Sequence, residues 1–302
     1  MLLALATRSD LPGWEVDDRH LHCALQQLGV AFERPVWDDP AVDWGRYAGV
    51  LVRTTWDYQD KLPAFRAWVA RVAAVTRLWN PPGVIGWNTH KHYLRELQRA
   101  GVPLATTHWL DRGTRPDLAA LVRTFGGREG FLKPCVGATA RETLRFSPDP
   151  AGLRAAQAHV DRLLPYEDLM LQPFLPNVTT RGEWSAIFVD GAISHCVRKI
   201  PVAGDYRVQD DFGARDERYA PSAAERAVAL HAMAVVQRAG GPCPGADGSP
   251  LLYGRTDFLW ADDGSCVLTE LELVEPSLFF RHAPEAGERL ARAWLARLAA
   301  SR

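Results

Sequence analysis

The stretch from Tyr253 to Ser277, YGRTDFLWADDGSCVLTELELVEPS, constrains this chain more than any other. Two runs rich in Thr, Phe, Trp, Val and Leu meet at Asp263-Gly264, a strong hairpin signal. With those two residues as the loop, cross-strand partners have numbers summing to one constant. That sum predicts Asp257 opposite Glu270 and Arg255 opposite Glu272. Side chains on a strand alternate faces, so three carboxylates and one guanidinium converge, with opposed Cβ atoms about 4.5–5.5 Å apart. One reading is a cage for a hard cation such as Mg²⁺; the other is a solvated sheet face of salt-bridged charges. Leu271 and Leu273 fall on the opposite, buried face, which leaves the charged side crowded. Like charges set opposite each other destabilise a sheet unless something positive lies between them, and this favours the metal.

At 302 residues, 47% of them hydrophobic, the chain can bury a sizeable core in two or three lobes. A formal net charge of −1 provides no general attraction for nucleic acid or an anionic membrane, so small ligands are the expected partners. The five cysteines are scattered without a CxxC pair, which argues against a disulfide framework or zinc site and fits reduced thiols in the cytoplasm. The opening MLLALATRSDLPG is apolar for only a few residues and has no basic leader, so it reads as a buried strand. A homodimer is compatible with these features.

Strands are predicted at Leu2 to Thr7, Ala31 to Trp37 and Tyr47 to Val52, with helices at Asp17 to Leu28 and Pro63 to Val75. This is an open α/β sheet whose third strand ends in the polar cluster Arg53, Thr54, Thr55, Trp56, Asp57, where such sheets bind ligands. LWNPPGVIGWN then breaks the pattern, and three units are expected at 1–87, 88–172 and 173–302. Asn88 is expected to cap a helix bearing His90, Lys91 and His92. Two histidines at i,i+2 do not share a helix face, which argues against a metal pair there.

Further on, a strand at Gly130 to Pro134 delivers Lys133 to a loop holding Gly137, Ala138 and Thr139. Small residues let backbone N–H groups approach phosphate oxygens while a lysine supplies charge; a plain surface hairpin is the competing reading. Leu169 to Leu175, LMLQPFL, reads as a strand passing between lobes, and its Gln172 would need partners if buried. A hairpin around Asp190-Gly191 ends in Arg198 and Lys199, and a basic loop holds Arg207. A helix capped at Ser222 and a terminal amphipathic helix from Pro284 to Leu298 complete the order. His195 and His231 read as structural.

Taken together, this order resembles the ATP-grasp superfamily, in which two α+β lobes clamp ATP behind an N-terminal α/β domain. The resemblance spans nearly the whole chain. It implies ATP and Mg²⁺ (or Mn²⁺) as cofactors, with Lys91 and Lys133 on the nucleotide and Gly137 and Ala138 in the phosphate-covering loop. Gln172, Pro173, Phe174 and Leu175 would line the adenine, and Lys199, Arg207 and Arg255 would sit near the transferring phosphate. Asp257, Glu270 and Glu272 match the metal ligands, although glutathione-synthetase-like members usually carry Asn at the place of Glu272. ATRSDLPG, VRTTWDY and LTELELVEPSLFF resemble the subgroup that contains the O-ureido-serine cyclo-ligase of D-cycloserine biosynthesis.

The chemistry so implied is ATP-dependent ligation of a carboxylate to an amine through an acyl phosphate, by cyclisation or between two molecules. Arg53, Thr54, Thr55, Asp57 and Ser277 are the expected substrate contacts. A non-catalytic ATP-binding module is the alternative from another class. A dinucleotide oxidoreductase is disfavoured, since no GxGxxG follows the first strand.

Overall fold

The structure is a computed structural model that describes residues 1–11, 17–244 and 247–300. Three sheets organise it. The first contains β1 (Leu2–Thr7), β2 (Ala31–Glu33), β3 (Val50–Thr54) and β4 (Leu78–Trp79), all parallel in the order β2-β1-β3-β4, with α1 (Arg19–Gln27) and α2 (Leu62–Ala73) in the crossovers. Alternation along β1 explains why both faces are covered. Leu3 and Leu5 point into a core shared with Leu21, Leu25 and Trp294, while Ala4 and Ala6 point into one built on Phe65, Trp68 and Val72. The second predicted strand ends at Glu33 instead of reaching Trp37, leaving a single bridge between Thr7 and Val36. Pro35 has no N–H to donate to the ladder.

After α3 (Pro82–Asn88) and α4 (Tyr93–Arg99) comes an antiparallel sheet in the order β5-β8-β6-β7. Its strands are β5 (His108–Leu110), β6 (Gly130–Pro134), β7 (Leu144–Phe146) and β8 (Leu169–Pro173), backed by α5 (Leu118–Arg123) and α6 (Pro150–Leu163). Leu132, Leu171 and Phe146 pack here on Ala156 and Val160. The third sheet follows α7 (Asn177–Arg181) and is also antiparallel: β9 (Glu183–Val189), β10 (Ala192–Ile200), β11 (Arg215–Arg218), β12 (Tyr253–Trp260) and β13 (Cys266–Glu272), in the order β11-β10-β9-β12-β13. Its apolar face holds Trp184, Phe188, Phe258 and Leu271 against Ala229, Ala232 and Met233 of α8 (Ala223–Gln237). Ser222 and Glu225 close the start of α8 with a capping box. The terminal helix α9 (Pro284–Ala300) returns to the first sheet and packs on α1. No helix among the described residues is long and apolar enough to cross a membrane.

Two expectations change here. Asn88 does not cap the following helix but closes α3, and its side chain turns to β13, donating to Leu271 O (2.9 Å) and accepting from Leu273 N (2.7 Å). Asn80 does the same nearby, donating to Tyr253 O and Leu273 O and accepting from Leu252 N. With Tyr93 Oη accepting from Leu271 N, these side chains satisfy an edge strand that would otherwise present bare backbone. The second change concerns His90 and His92, which lie in the turn before α4; their rings approach to 4.2 Å between centroids, so helical spacing does not separate them.

Candidate active site

The hairpin pairs Asp257 with Glu270 and Arg255 with Glu272, but by a different route from the one expected. Its loop spans residues 261–265, closed by Ala261 N donating to Ser265 O, so the first pairs are Trp260 with Cys266 and Phe258 with Leu268. That register alone would set Asp257 opposite Thr269. A bulge at Thr269 absorbs one residue and switches which alternate positions face the core: Leu268 before it, Leu271 and Leu273 after it. Glu270 and Glu272 are thereby turned to the cavity side.

That side is the wall of a cavity of about 610 Å³ between the second and third sheets. Asp257 lies deepest, 2% exposed, bonded by Ser185 Oγ and by Arg255 Nε at 2.9 Å, with Lys199 Nζ 3.5 Å away. Burial would raise its pKa, but Arg255 and then Lys199 hold it well below the usual carboxylate range. Burial also pushes Glu270 up, and it is outweighed by Lys91 at 3.7 Å and Lys133 at 3.4 Å. Glu272 is the exception. Burial raises it to about 7 with Asp257 and Glu270 adding, even though Arg255 donates to it. A set of carboxylates that forces one of its members toward the neutral form is short of positive charge, and oxygen donors of this kind fit Mg²⁺.

Opposite this wall, Lys91 Nζ donates to Gly137 O at 2.7 Å, joining the helix-entry turn to the loop after β6. Gly137 and Ala138 line the cavity, and the same loop holds Thr139, Ala140 and Glu142 at φ near +50° (51°, 54° and 51°), a region L-residues rarely occupy. Gln172, Pro173, Phe174 and Leu175 line the cavity along the end of β8. Gln172 finds its partner in Thr107 Oγ1 at 2.8 Å, and Phe174 meets Tyr206 and Phe131 in a small apolar cluster suited to a planar base. Arg207 lines the mouth, paired with Asp205 at 2.7 Å and lying over Phe212.

Of the expected substrate contacts, only Ser277 lines this cavity; its Oγ bonds with Asp17 and its carbonyl accepts from Arg255. Arg53, Thr54, Thr55 and Asp57 do not line it. Arg53 is 2% exposed and locked onto Asp18 (2.9 Å) and Pro276 O (3.1 Å). Thr54 bonds with Thr7, Thr55 is fully buried, and Asp57 is held by Trp37 and Lys61. Arg53 thus ties the end of β3 to the segment after β13, while Thr54 and Asp57 bond within the first unit. The first sheet reaches the cavity instead through Arg8, Trp56 and Gln59.

Three polar groups escaped the sequence reading. Glu183 accepts from Lys199 and, at 3.3 Å, from Thr269 Oγ1, and burial raises its pKa. Ser185 supports Asp257 from the adjacent strand. Both were legible in the alternation of EWSAIFV, where Glu183 and Ser185 share a face opposite Trp184, Ala186 and Phe188. Glu275, just beyond β13, faces the cavity with its carboxyl raised to about 8 by burial and by Glu272.

A family model described as the N-terminal domain of D-cycloserine synthetase DcsG matches residues 3–80. The cycloserine biosynthesis protein DcsG of Streptomyces lavendulae is 33% identical over 98% of this chain and 99% of its own length. Among solved structures, that of D-cycloserine synthetase DcsG covers 99% of this chain and 100% of its own, with 31% identity and a TM-score of 0.85. D-alanine–D-alanine ligase from Bacillus anthracis shares the fold at 14% identity, with a TM-score of 0.68 over 100% of this chain and 98% of its own. Full-length similarity at this level, on a fold whose central cavity gathers carboxylates against lysines and arginine, makes this chain a member of the DcsG family of ATP-grasp enzymes, ATP-dependent carbon–nitrogen ligases.

Proposed function

We propose that this protein is an intramolecular cyclo-ligase that closes O-ureido-D-serine to D-cycloserine with hydrolysis of ATP to ADP and phosphate. Full-length similarity to a cycloserine biosynthesis protein carries this reading. In it, Lys91, Lys133 and the N–H groups around Gly137 and Ala138 hold the triphosphate, and the segment Gln172 to Leu175 with Tyr206 holds the adenine. Asp257, Glu270 and Glu272 would hold Mg²⁺, with Mn²⁺ as a substitute; the ion supplies positive charge at the β- and γ-phosphate oxygens when bound. Glu183 and Ser185 support that wall.

The substrate carboxylate attacks the γ-phosphorus, and the bond to the ADP oxygen breaks. Lys199, Arg207 and Arg255 neutralise charge on the transferred group and orient it. The substrate nitrogen then attacks the acyl carbon of the acyl phosphate, phosphate leaves and the nitrogen gives up its proton; hydrolysis of the carbamoyl group that this nitrogen still carries, with one water consumed and carbon dioxide and ammonia released, completes D-cycloserine. The cavity excludes water from the activated intermediate while the ring closes. Arg8, Trp56, Gln59, Glu275 and Ser277 form the proposed substrate end. The units 1–87, 88–172 and 173–302 are inferred to be the substrate-side domain, the lid and the catalytic domain of a cytoplasmic enzyme.

Incubation with ATP, Mg²⁺ and O-ureido-D-serine should release ADP and yield D-cycloserine, and hydroxylamine should intercept the intermediate as a hydroxamate. ADP with another acid and an added amine, but none with O-ureido-D-serine, would move the assignment to intermolecular ligation. Nucleotide binding without ADP release for any acid would favour a non-catalytic module.

A further inference from the structure

On the two segments that carry Lys91 and Lys133 to the nucleotide cavity, the structure holds a second cluster of metal-binding groups with a different chemistry. His90, His92 and Cys135 each offer one ligand atom, and these atoms all lie within 4.8 Å of one another. Asp168 stands beside both imidazoles, 3.2 Å from His90 Nε2 and 3.8 Å from His92 Nε2. The backbone already ties the three segments together: Lys91 N donates to Cys135 O and Cys135 N to Asp168 O, each at 2.8 Å. The segments that carry the candidate ligands are therefore held together before any ion arrives.

We propose that His90, His92 and Cys135, with Asp168 beside them, form a binding site for a thiophilic divalent cation of the zinc class. Three observations carry this. His92 Nε2 is buried yet has no hydrogen-bond partner among the described residues, a state that buried polar atoms rarely tolerate. Two imidazoles, a thiolate and a carboxylate suit Zn²⁺ or Co²⁺ and not Mg²⁺, and one thiolate with one carboxylate balances a divalent charge. His90 Nδ1 accepts from His92 N at 3.3 Å, which leaves Nε2, the nitrogen facing Asp168, to bind the ion beside that carboxylate. Cys135 is 1% exposed, whereas the His90 and His92 side chains are 24% and 33% exposed, so the thiol is sheltered and the imidazole side open to entry. Binding removes one proton, from Cys135 Sγ, to solvent and forms a metal–sulfur bond without oxidation. Because Lys91 lies between the two histidines and Cys135 between Lys133 and Gly137, the ion would fasten together the bases of both lysine-bearing segments.

The test is titration of the chelator-treated, reduced full-length protein with Co²⁺, read by absorption. One equivalent should produce a thiolate-to-cobalt charge-transfer band and tetrahedral d–d bands, both displaced by Zn²⁺ and unaffected by millimolar Mg²⁺. Cys135→Ser should abolish the charge-transfer band, and His92→Gln, at a partly exposed position, should weaken Co²⁺ binding at least about tenfold. Cys23→Ser and Glu270→Gln should leave the spectrum unchanged. Absence of a thiolate band at one equivalent, or a band that survives Cys135→Ser or His92→Gln at full affinity, would overturn the site. Because the readout is independent of ATP turnover, it stands apart from the ligase assignment.

Discussion

Lys133 Nζ, carried by β6, lies 3.4 Å from Glu270 Oε1 on β13, so a cation of one sheet already faces an anion of another across the cavity. Under the proposed function, entry of a triphosphate and Mg²⁺ would exchange each partner for a stronger one: the lysine for phosphate oxygens, the carboxylate for the metal. Lys133→Met should therefore lower kcat/KM for ATP by about 10²-fold, the usual effect of removing one electrostatic donor from a reacting phosphate or oxyanion. Steady-state ADP release against ATP concentration measures it, and an unchanged kcat/KM would separate Lys133 from the nucleotide.

The Glu272 carboxyl, raised to about 7 by burial and its acidic neighbours, leads to a pH dependence. In the proposed site its ionised form would hold the metal, so below about pH 7 each bound Mg²⁺ must displace one proton. Apparent Mg²⁺ affinity should rise with pH, by about tenfold per unit below that value, and level off above it. Glu272→Gln should weaken Mg²⁺ binding and flatten the slope. Calorimetry near pH 6 in buffers of different ionisation enthalpy would detect the released proton.

Glu275 sets the stability of the metal-free protein in the opposite sense from a salt-bridged carboxylate. Its folded-state pKa is raised to about 8 from 4.5, so the folded chain binds the proton more tightly than the unfolded one. The resulting stability is full below about pH 4.5 and lost progressively as pH rises to about 8. Thermal melts between pH 7 and pH 8.5, above the range in which His90, His92 and His195, lowered by burial, oppose the trend, should fall with pH, and Glu275→Gln should reduce that fall. An unchanged slope in Glu275→Gln would mean that the carboxyl is already ionised at neutral pH.

Much of this was legible in the sequence because period and turn chemistry are local. Leu2–Thr7 and Gly130–Pro134 form where the apolar runs indicate, and α8 starts at its capping box. The carboxylate pairing was also legible, although the five-residue loop and the bulge at Thr269 offset one another, which no turn rule would reveal. What could not be read was set by contacts distant in sequence. Arg53 looked like a ligand-binding residue at a strand end, yet Asp18 and the carbonyl of Pro276 occupy its guanidinium. The helix α6 went unrecognised because Pro150, Gly152 and polar residues dilute its apolar face, which only the sheet beneath it makes evident.

Arg53 accordingly gives a prediction about stability. Removing one partner of a buried pair strands the other charge, at about 3–5 kcal/mol. Arg53→Ala should melt well below the parent and leave Asp18 buried without its cation. If folded protein is recovered, its KM for the acid substrate should stay within a few-fold of the parent, because Arg53 does not line the cavity. A large KM effect with unchanged stability would restore it as a substrate contact.

Asn88, outside the cavity, holds the strand that carries Glu270 and Glu272. It brackets Glu272, donating to Leu271 O on one side and accepting from Leu273 N on the other, along the free edge of β13. Asn88→Ala leaves a buried N–H and a buried carbonyl without partners, at about 1–3 kcal/mol for each. The edge of the strand can then relax, and Glu272 with it, while Asp257 on the interior strand β12 stays fixed by Ser185 and Arg255. Asn88→Ala should thus lower the melting temperature and raise the Mg²⁺ concentration needed for half-maximal ADP release, with the KM for ATP at saturating Mg²⁺ changing less. Asn88→Asp should fare no better, since a carboxylate cannot donate to Leu271 O. If both variants melt early but need no more Mg²⁺ than the parent, Glu272 keeps its place without the asparagine, and the edge clamp serves folding alone.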